Sequence, residues 1–263
     1  MKKIGFIGMG NMAKAIAGGF VEKKAAEKES LFAYAPNQAK LAANAAEIGF
    51  TPVASVEELA DICDTLIVGC KPYQIDDVLS KISGKLAGKN LISIAAGWVF
   101  DSFAQKLPET KIQCIMPNTP ALVGEGVFLF EEKNNLSADD QALLRDMFGK
   151  LGVVIDMPTS LMGIGGAVSG CGPAFVDMFM EAYADAAVKY GVSRNTAYKL
   201  IAQTVLGSAK LQMATGKHPG VLKDEVCSPN GTTICGVASL EENGFRSACI
   251  RSIDAIMLKK SGK

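Results

Sequence analysis

The sequence predicts an α/β protein, an N-terminal Rossmann-type doubly wound sheet followed by an all-α C-terminal domain. Three observations carry this expectation. Short apolar runs alternate with helix-length stretches through the first half of the 263 residues, a glycine-rich turn follows the first run, and strand patterns stop after about Pro158. Alternation at this spacing builds a mainly parallel sheet covered on both faces, whose strands read as continuous hydrophobic runs. The expected division is a dinucleotide-binding domain over residues 1–158 and a helical domain over 159–263.

Strand patterns fall at Lys3–Gly8, Leu31–Ala35, Thr65–Val68, Asn90–Ile94, Ile112–Met116, Val127–Phe130 and Val153–Asp156. Between them, Met12–Lys23, Gln38–Ile48, Ser55–Ala60, Gln74–Ile82, Val99–Lys106 and Ser137–Lys150 read as helices. Met157–Val176 carries no charge over 20 residues, about a membrane span, but its five glycines and two prolines read as a junction feeding a buried helix. Pro173–Tyr190 then shows a helical stripe of Phe175, Met178, Phe179, Ala182 and Ala186, closed by Gly191. Ser193 can cap a second helix running to Gly216, a third begins after Ser228-Pro229, and a fourth runs from about Gly244 to Lys260.

Composition removes several function classes. The 27 basic and 27 acidic residues cancel, so there is no broad cationic face for nucleic acid or an anionic membrane, and neither is expected as a partner. His218 is the one histidine, which excludes a multi-histidine metal site and nearly excludes a histidine-based triad; no metal is expected. Seven cysteines, an odd number without a C-x-x-C pair, read as small buried hydrophobes in a reducing cytoplasm. Near the N-terminus, Asn11 and Lys14 interrupt the apolar run, whereas a secretory segment needs roughly 7–15 apolar residues. A soluble, cytoplasmic protein is expected.

Gly8-Met9-Gly10-Asn11-Met12-Ala13 matches G-x-G-x-x-A directly after the first strand and at the opening of a helix. Glycines there permit the tight turn and close backbone approach, and the helix N-terminus then faces a pyrophosphate. After the second strand an NAD-selective site carries Asp or Glu for the ribose 2′-hydroxyl, but this chain reads Tyr34-Ala35-Pro36-Asn37-Gln38. A 2′-phosphate meets no repelling acid, Asn37 can donate to it with Lys40 nearby, and NADPH is favoured, with NADH possible. Gly69-Cys70-Lys71-Pro72 and Ser93-Ile94-Ala95-Ala96-Gly97 each close a strand on the edge where open α/β sheets bind ligands. Both turns should line the cofactor cleft, unless they are loop punctuation alone. Two prolines fix the turn Met116-Pro117-Asn118-Thr119-Pro120, in which Asn118 is either turn glue or a nicotinamide contact. In the second half, Ser228-Pro229 reads as an N-cap and N1 pair, and Asn230-Gly231-Thr232-Thr233 exposes N–H groups at a helix start. That is a ready carboxylate site, or a plain cap.

Taken in order, G-x-G-x-M-A (8–13), C-K-P (70–72), S-I-A-A-G (93–97), M-P-N-T-P (116–120), S-G-C-G-P-A-F (169–175) and H-P-G-x-L-K-D-x-V-C-S-P-x-G-T-T (218–233) extend over essentially the whole chain. With them the sequence resembles the pyrroline-5-carboxylate reductase family. The last motif is close to diagnostic, whereas the first is shared by very many dehydrogenases. The resemblance implies reduction of the cyclic imine Δ1-pyrroline-5-carboxylate to L-proline with NADPH or NADH, the last step of proline biosynthesis. It also implies homodimers built through residues 159–263 and gathered into larger rings of dimers, with active sites at the dimer interface. Carried onto this chain, Gly8, Met9, Gly10, Asn11 and Met12 would bind the pyrophosphate, and Ala35, Pro36 and Asn37 the adenosine ribose. Cys70, Lys71, Pro72, Ala95 and Ala96 would line the ribose and nicotinamide. Ser228, Gly231, Thr232 and Thr233 would hold the substrate, with Thr233 as the catalytic residue hydrogen-bonding the ring nitrogen. The chain departs from the family's usual residues at Ala35, Cys171, Cys227 and Asn230.

Imine reduction suits this inventory. An iminium carbon is already electrophilic, so hydride addition requires no strong base, and positioning alone can supply on the order of 7–11 kcal/mol. A β-hydroxyacid dehydrogenase shares the two-part layout but needs an acid or base near its alcohol. Its usual lysine is absent from Ser169–Phe175, and none follows until Lys189. A nucleotide-sensing module without catalysis is a further alternative, against which the intact Ser228–Thr233 run speaks.

Overall fold

Among the described residues (2–260 and 262 of this computed structural model) eight strands form one sheet. They are β1 Ile4–Ile7, β2 Leu31–Tyr34, β3 Thr51–Pro52, β4 Thr65–Val68, β5 Asn90–Ser93, β6 Lys111–Met116, β7 Gly126–Glu131 and β8 Gly152–Met157. Their spatial order is 3-2-1-4-5-6-7-8. Strands β1 to β6 are parallel, β7 runs antiparallel to β6, and β8 runs parallel to β7. The order reverses at β1, which pairs with β2 on one side and β4 on the other; such a switch point opens a crevice at the carboxyl ends of the strands. Six helices cover the sheet: α1 Asn11–Glu22, α2 Gln38–Ile48, α3 Val56–Ile62, α4 Ile75–Ile82, α5 Phe100–Ala104 and α6 Ala138–Gly149.

The continuous apolar strands follow from burial on both sides. One face packs Phe6, Ile16, Phe20, Phe128, Phe130 and Phe148 into a single cluster. There the Phe148 ring meets Phe20, Phe128 and Phe130 edge-on at 5.2, 5.0 and 5.7 Å between centroids, the geometry that aromatic quadrupoles favour. The other face buries Leu59, Leu66, Val68, Leu79, Phe103 and Ile112. The short strand β3 carries no strand pattern in the sequence; it is exposed, contains Pro52 and occupies the sheet edge, where a missing N–H is tolerated.

The helical half differs more from expectation. Helix α7 spans Met162–Lys189 and takes in the glycines and Pro173 that had read as a junction. Pro173 has no N–H for the Ser169 carbonyl one turn back; the Asn118 side-chain amide donates to that carbonyl instead, at 3.0 Å. There follow α8 Arg194–Thr215, α9 Pro219–Val226, α10 Thr232–Glu242 and α11 Phe245–Lys260, one helix more than the pattern gave. The additional helix α9 carries the real N-cap and proline pair: His218 Nδ1 accepts from the Gly220 N–H at 3.0 Å, and Pro219 occupies the first helical position.

The chain divides into two compact units, Met1–Cys171 and Gly172–Lys263. Within the second, Ala184, Ala197 and Ile201 form the buried cluster, whereas Met178, Leu200, Met213 and Ile250 are more than half exposed. Helix α7 with its lead-in, Thr159–Lys189, is long and apolar enough to cross a membrane by length and composition, and little of it is buried in the single protomer. Of the cysteines, Cys63 and Cys114 are buried as the sequence suggested, but Cys235 and Cys249 are exposed in the protomer.

At the amino ends of the strands, buried Asp140 gathers Lys2, Lys111 at 3.4 Å and the hydroxyl of Ser137, the α6 cap, at 2.7 Å. Hydrogen bonds from Lys2, then Ser137, hold its carboxyl well below the usual carboxylate range. A carboxyl whose folded-state value lies below its unfolded one, near 3.9, stabilises the fold above that pH, and the contribution fades as pH falls through and below it. Asp140→Asn should therefore lower Tm by a few degrees at pH 7, for a loss of about 1–3 kcal/mol. The gap to wild type should narrow between about pH 5 and pH 3. Thermal melts across that window check both, and a gap independent of pH would remove the ionic role.

Candidate functional site

The turn from β1 into α1 is shaped by the neighbouring strand. Gly8 adopts φ +91°, and a Cβ there would lie 2.8 Å from the Cys70 nitrogen and 2.9 Å from its Cα. Only glycine allows the two carboxyl ends at the switch point to approach this closely. Its N–H donates to the Tyr34 carbonyl at 2.7 Å, so the β1 turn is tied to the end of β2 as well. Gly10 caps α1 in extended conformation with no side-chain bond to the first turn, and a Cβ on it would meet nothing within 4 Å. The first N–H groups of α1 are thus left to an incoming anion over a bare backbone surface.

A cleft of about 760 Å³ opens over this turn, within the 300–1,000 Å³ usual for small-molecule and cofactor sites. Of the residues expected there, Gly8, Met9, Gly10, Ala35, Pro36, Asn37, Cys70 and Lys71 line it. Lys40 joins them, as do Tyr34, Val56, Tyr73 and Lys81, which the sequence reading had not placed. Tyr73 is 83% exposed in the turn after β4, and its place directly behind the C-K-P motif was the available signal. Asn11 and Pro72 adjoin lining residues in the chain without themselves lining the cleft, Met12 lies one residue further into α1, and Ala95 and Ala96 follow the carboxyl end of β5. The Asn37 oxygen is committed to capping α2, accepting from the Lys40 N–H at 2.9 Å, which leaves its amide N–H₂ as the group able to donate to a ligand. Burial pushes the Cys70 thiol up, so it stays protonated and is part of the wall.

Asn118 does not enter the cleft. Its oxygen accepts from the Val127 N–H at 2.8 Å, its N–H₂ donates to the Ser169 carbonyl, and the residue is buried. Of the two readings left open by the sequence, turn glue holds.

The 228–233 segment belongs to the second unit. Ser228 is not the cap of the following helix. Instead Ser228–Gly231 is a turn, closed by the Gly231 N–H donating to the Ser228 carbonyl at 3.0 Å, with Asn230 at φ +61°. Asparagine tolerates that left-handed conformation better than most residues. The extra turn moves the helix start from Pro229 to Thr232 and makes Gly231 the N-cap, with no side-chain bond. Thr232 and Thr233 are then the first two helical residues, and their N–H groups have no partner within the helix.

Two family models match the chain: pyrroline-5-carboxylate reductase dimerisation over residues 159–262, and NADP oxidoreductase, coenzyme F420-dependent, over residues 3–97. The pyrroline-5-carboxylate reductase of Escherichia coli K12 is 44% identical over 262 residues, 98% of this chain and 97% of that protein. Its counterpart in Treponema pallidum is 38% identical, over 97% of this chain and 98% of that one. Among solved structures, the pyrroline carboxylate reductase of Plasmodium falciparum with NADP bound superposes with TM-score 0.89 at 35% identity, covering 98% of this chain and 96% of the other. An imine reductase from Myxococcus stipitatus, at 18% identity and TM-score 0.55, shares the fold. On matches of this identity and coverage, the chain belongs to the pyrroline-5-carboxylate reductase family.

Proposed function

We propose that this protein reduces Δ1-pyrroline-5-carboxylate to L-proline, taking the hydride from NADPH. The observation that carries the reading is the pairing, in one chain, of a dinucleotide cleft at the β1 switch point, with no acid in the 35–37 turn after β2, and the Ser-Pro-Asn-Gly-Thr-Thr turn opening α10. When bound, NADPH supplies the hydride that adds to the imine carbon, and a proton on the ring nitrogen completes the amine. The chain's own residues position and polarise. Gly8–Met12 and the bare start of α1 receive the pyrophosphate, Asn37 and Lys40 the 2′-phosphate, and Cys70, Lys71, Pro72, Ala95 and Ala96 the ribose and nicotinamide. The substrate carboxylate takes N–H bonds from the start of α10, beside Ser228, Gly231 and Thr232, and the Thr233 hydroxyl reaches the ring nitrogen. Following NADPH and NADH oxidation by absorbance, with pyrroline-5-carboxylate added, tests the activity directly.

Residues 1–158 serve the cofactor and 159–263 the substrate and a partner subunit. The exposed Met178, Leu200, Met213 and Ile250 form the kind of apolar surface a homodimer covers, and rings of such dimers in the cytoplasm are the corresponding assembly. Sedimentation should find no stable monomer at assay concentrations; an active monomer would overturn the dimer.

Aspartate caps helices as well as asparagine does, so Asn37→Asp should fold normally while placing negative charge beside the 2′-phosphate. The NADPH:NADH ratio of kcat/KM should fall at least roughly ten-fold, the weight of one repulsive contact. An unchanged ratio would show that Asn37 does not face the ribose. Thr233→Val keeps the side-chain shape and removes the hydroxyl. Its kcat/KM for the imine should drop roughly ten- to a few-hundred-fold, about 1.5–3 kcal/mol for one charge-assisted bond, with NADPH affinity nearly unchanged. Wild-type kcat/KM in this variant would sink the assignment.

A further inference from the structure

We infer that Glu131 is a positioning residue for the reduction, a buried carboxylate that pins the β5–α5 loop (residues 94–99) to the sheet. The residue is 1% exposed at the end of β7, where the register Ile115 with Phe130 and Met116 with Leu129 places it beside Cys114, at the carboxyl-end level of β5. One oxygen accepts from the Phe100 N–H at 2.7 Å, and the other from the Thr159 hydroxyl at 2.6 Å. The Cys114 thiol, kept protonated by burial and by the neighbouring carboxylate, is a third donor. All three of these groups are donors, and a carboxylate, with acceptors only, is the side chain that satisfies them.

The consequence lies in what those donors hold. The β5–α5 loop leaves the sheet at Ser93, makes a left-handed bend at Gly97 (φ +82°), and ends at Phe100, the first residue of α5. With both ends fixed, six residues have little room to wander; with Phe100 released, the loop is held at β5 and by the Phe103 side chain below. Thr159 opens the turn that leads into α7, so one carboxylate sets the loop and the exit of the last strand together. This inference rests on the reading above that Ala95 and Ala96 face the nicotinamide, where a displacement of an ångström costs hydride transfer heavily.

The loop carries its own reporter, since Trp98 is the one tryptophan of the chain and packs on Phe103 at 4.8 Å. Glu131→Gln keeps the shape but turns one acceptor into a donor facing another donor; Glu131→Asp keeps the charge but draws both oxygens back by one methylene, away from Phe100, and serves if the first variant does not fold. Trp98 emission should shift to the red and acrylamide quenching should rise in the folded variants. The kcat should fall by roughly ten-fold, as for one charge-assisted bond partly expressed, with a larger isotope effect from 4-deuterated NADPH and KM for the imine nearly unchanged. A folded variant with wild-type Trp98 quenching, or with wild-type kcat and isotope effect and only a lower Tm, overturns the inference. The fluorescence readout needs no substrate, so a wild-type enzyme that fails to reduce the imine would count against the proposed function while Trp98 still tests the pin.

Discussion

The contact between the backbones of Gly8 and Cys70 is the constraint on which the cofactor side of the structure depends. At the switch point two strand ends must lie close enough for one ligand to touch both, yet leave a surface bare enough for that ligand to descend onto it. A side chain at Gly8 would sit within 3 Å of the Cys70 backbone, so the turn would open and α1 would swing with it. Because Gly8 also donates to Tyr34, the ends of β1, β2 and β4 form one rigid rim. The apolar packing beneath, with Phe6, Ile16 and Phe20 on one face and Leu59, Leu66 and Val68 on the other, keeps that rim from relaxing. Side chains on this rim add little charge of their own: the 35–37 turn after β2 carries no acid, and burial keeps the Cys70 thiol protonated.

Two buried carboxylates mark the two edges of the sheet and serve opposite ends of the same problem. Asp140 binds Lys2, Lys111 and the α6 cap at the amino edge, where strands need only be held together. Among the described residues no cation pairs with Glu131; its partners are a backbone N–H, a hydroxyl and a thiol on three different segments. Ion pairing at half-exposed lysines is open to screening by salt, whereas a buried carboxylate held by neutral donors is not. The carboxyl end of the sheet, onto which the cleft opens, has the joint made of neutral donors.

Most of the sheet was legible in the sequence because its strands are buried on both faces and so lose the alternation that would blur them with surface structure. Thr65–Val68 and Gln38–Ile48 fall on their observed limits, the first flanked by turns and the second capped by Asn37 and ended by Gly49. The short strand β3 was not legible, since two exposed residues, one a proline, carry no hydrophobic signal. The start of α7 was misread for a different reason. Glycine normally argues against a helix, but a Cβ at Gly165 would lie 2.8 Å from Leu129 Cδ1, so glycine is there to let the helix lie against the sheet. Propensity yields to packing at that position, and a single sequence does not contain the packing.

The site was legible in a comparable way. The turn built on Gly8 and Gly10 announces itself by composition, whereas the cap of α10 reads as Ser228 and lies at Gly231. Residues whose role is set by what lies across the fold do not announce themselves. Asn118 illustrates the difference: its motif marks a turn, but only Pro173, far along the chain, explains why the turn needs an amide. Proline breaks one hydrogen bond inside α7, the Ser169 carbonyl is left without its helical donor, and the asparagine of a distant loop supplies one at 3.0 Å. An unpaired buried carbonyl would cost about 1–3 kcal/mol, so the M-P-N-T-P and S-G-C-G-P sequences are two halves of one repair. The first turns of α7, small against the sheet and short of one backbone hydrogen bond at Pro173, therefore depend on the strand domain beside them for the amide that restores it.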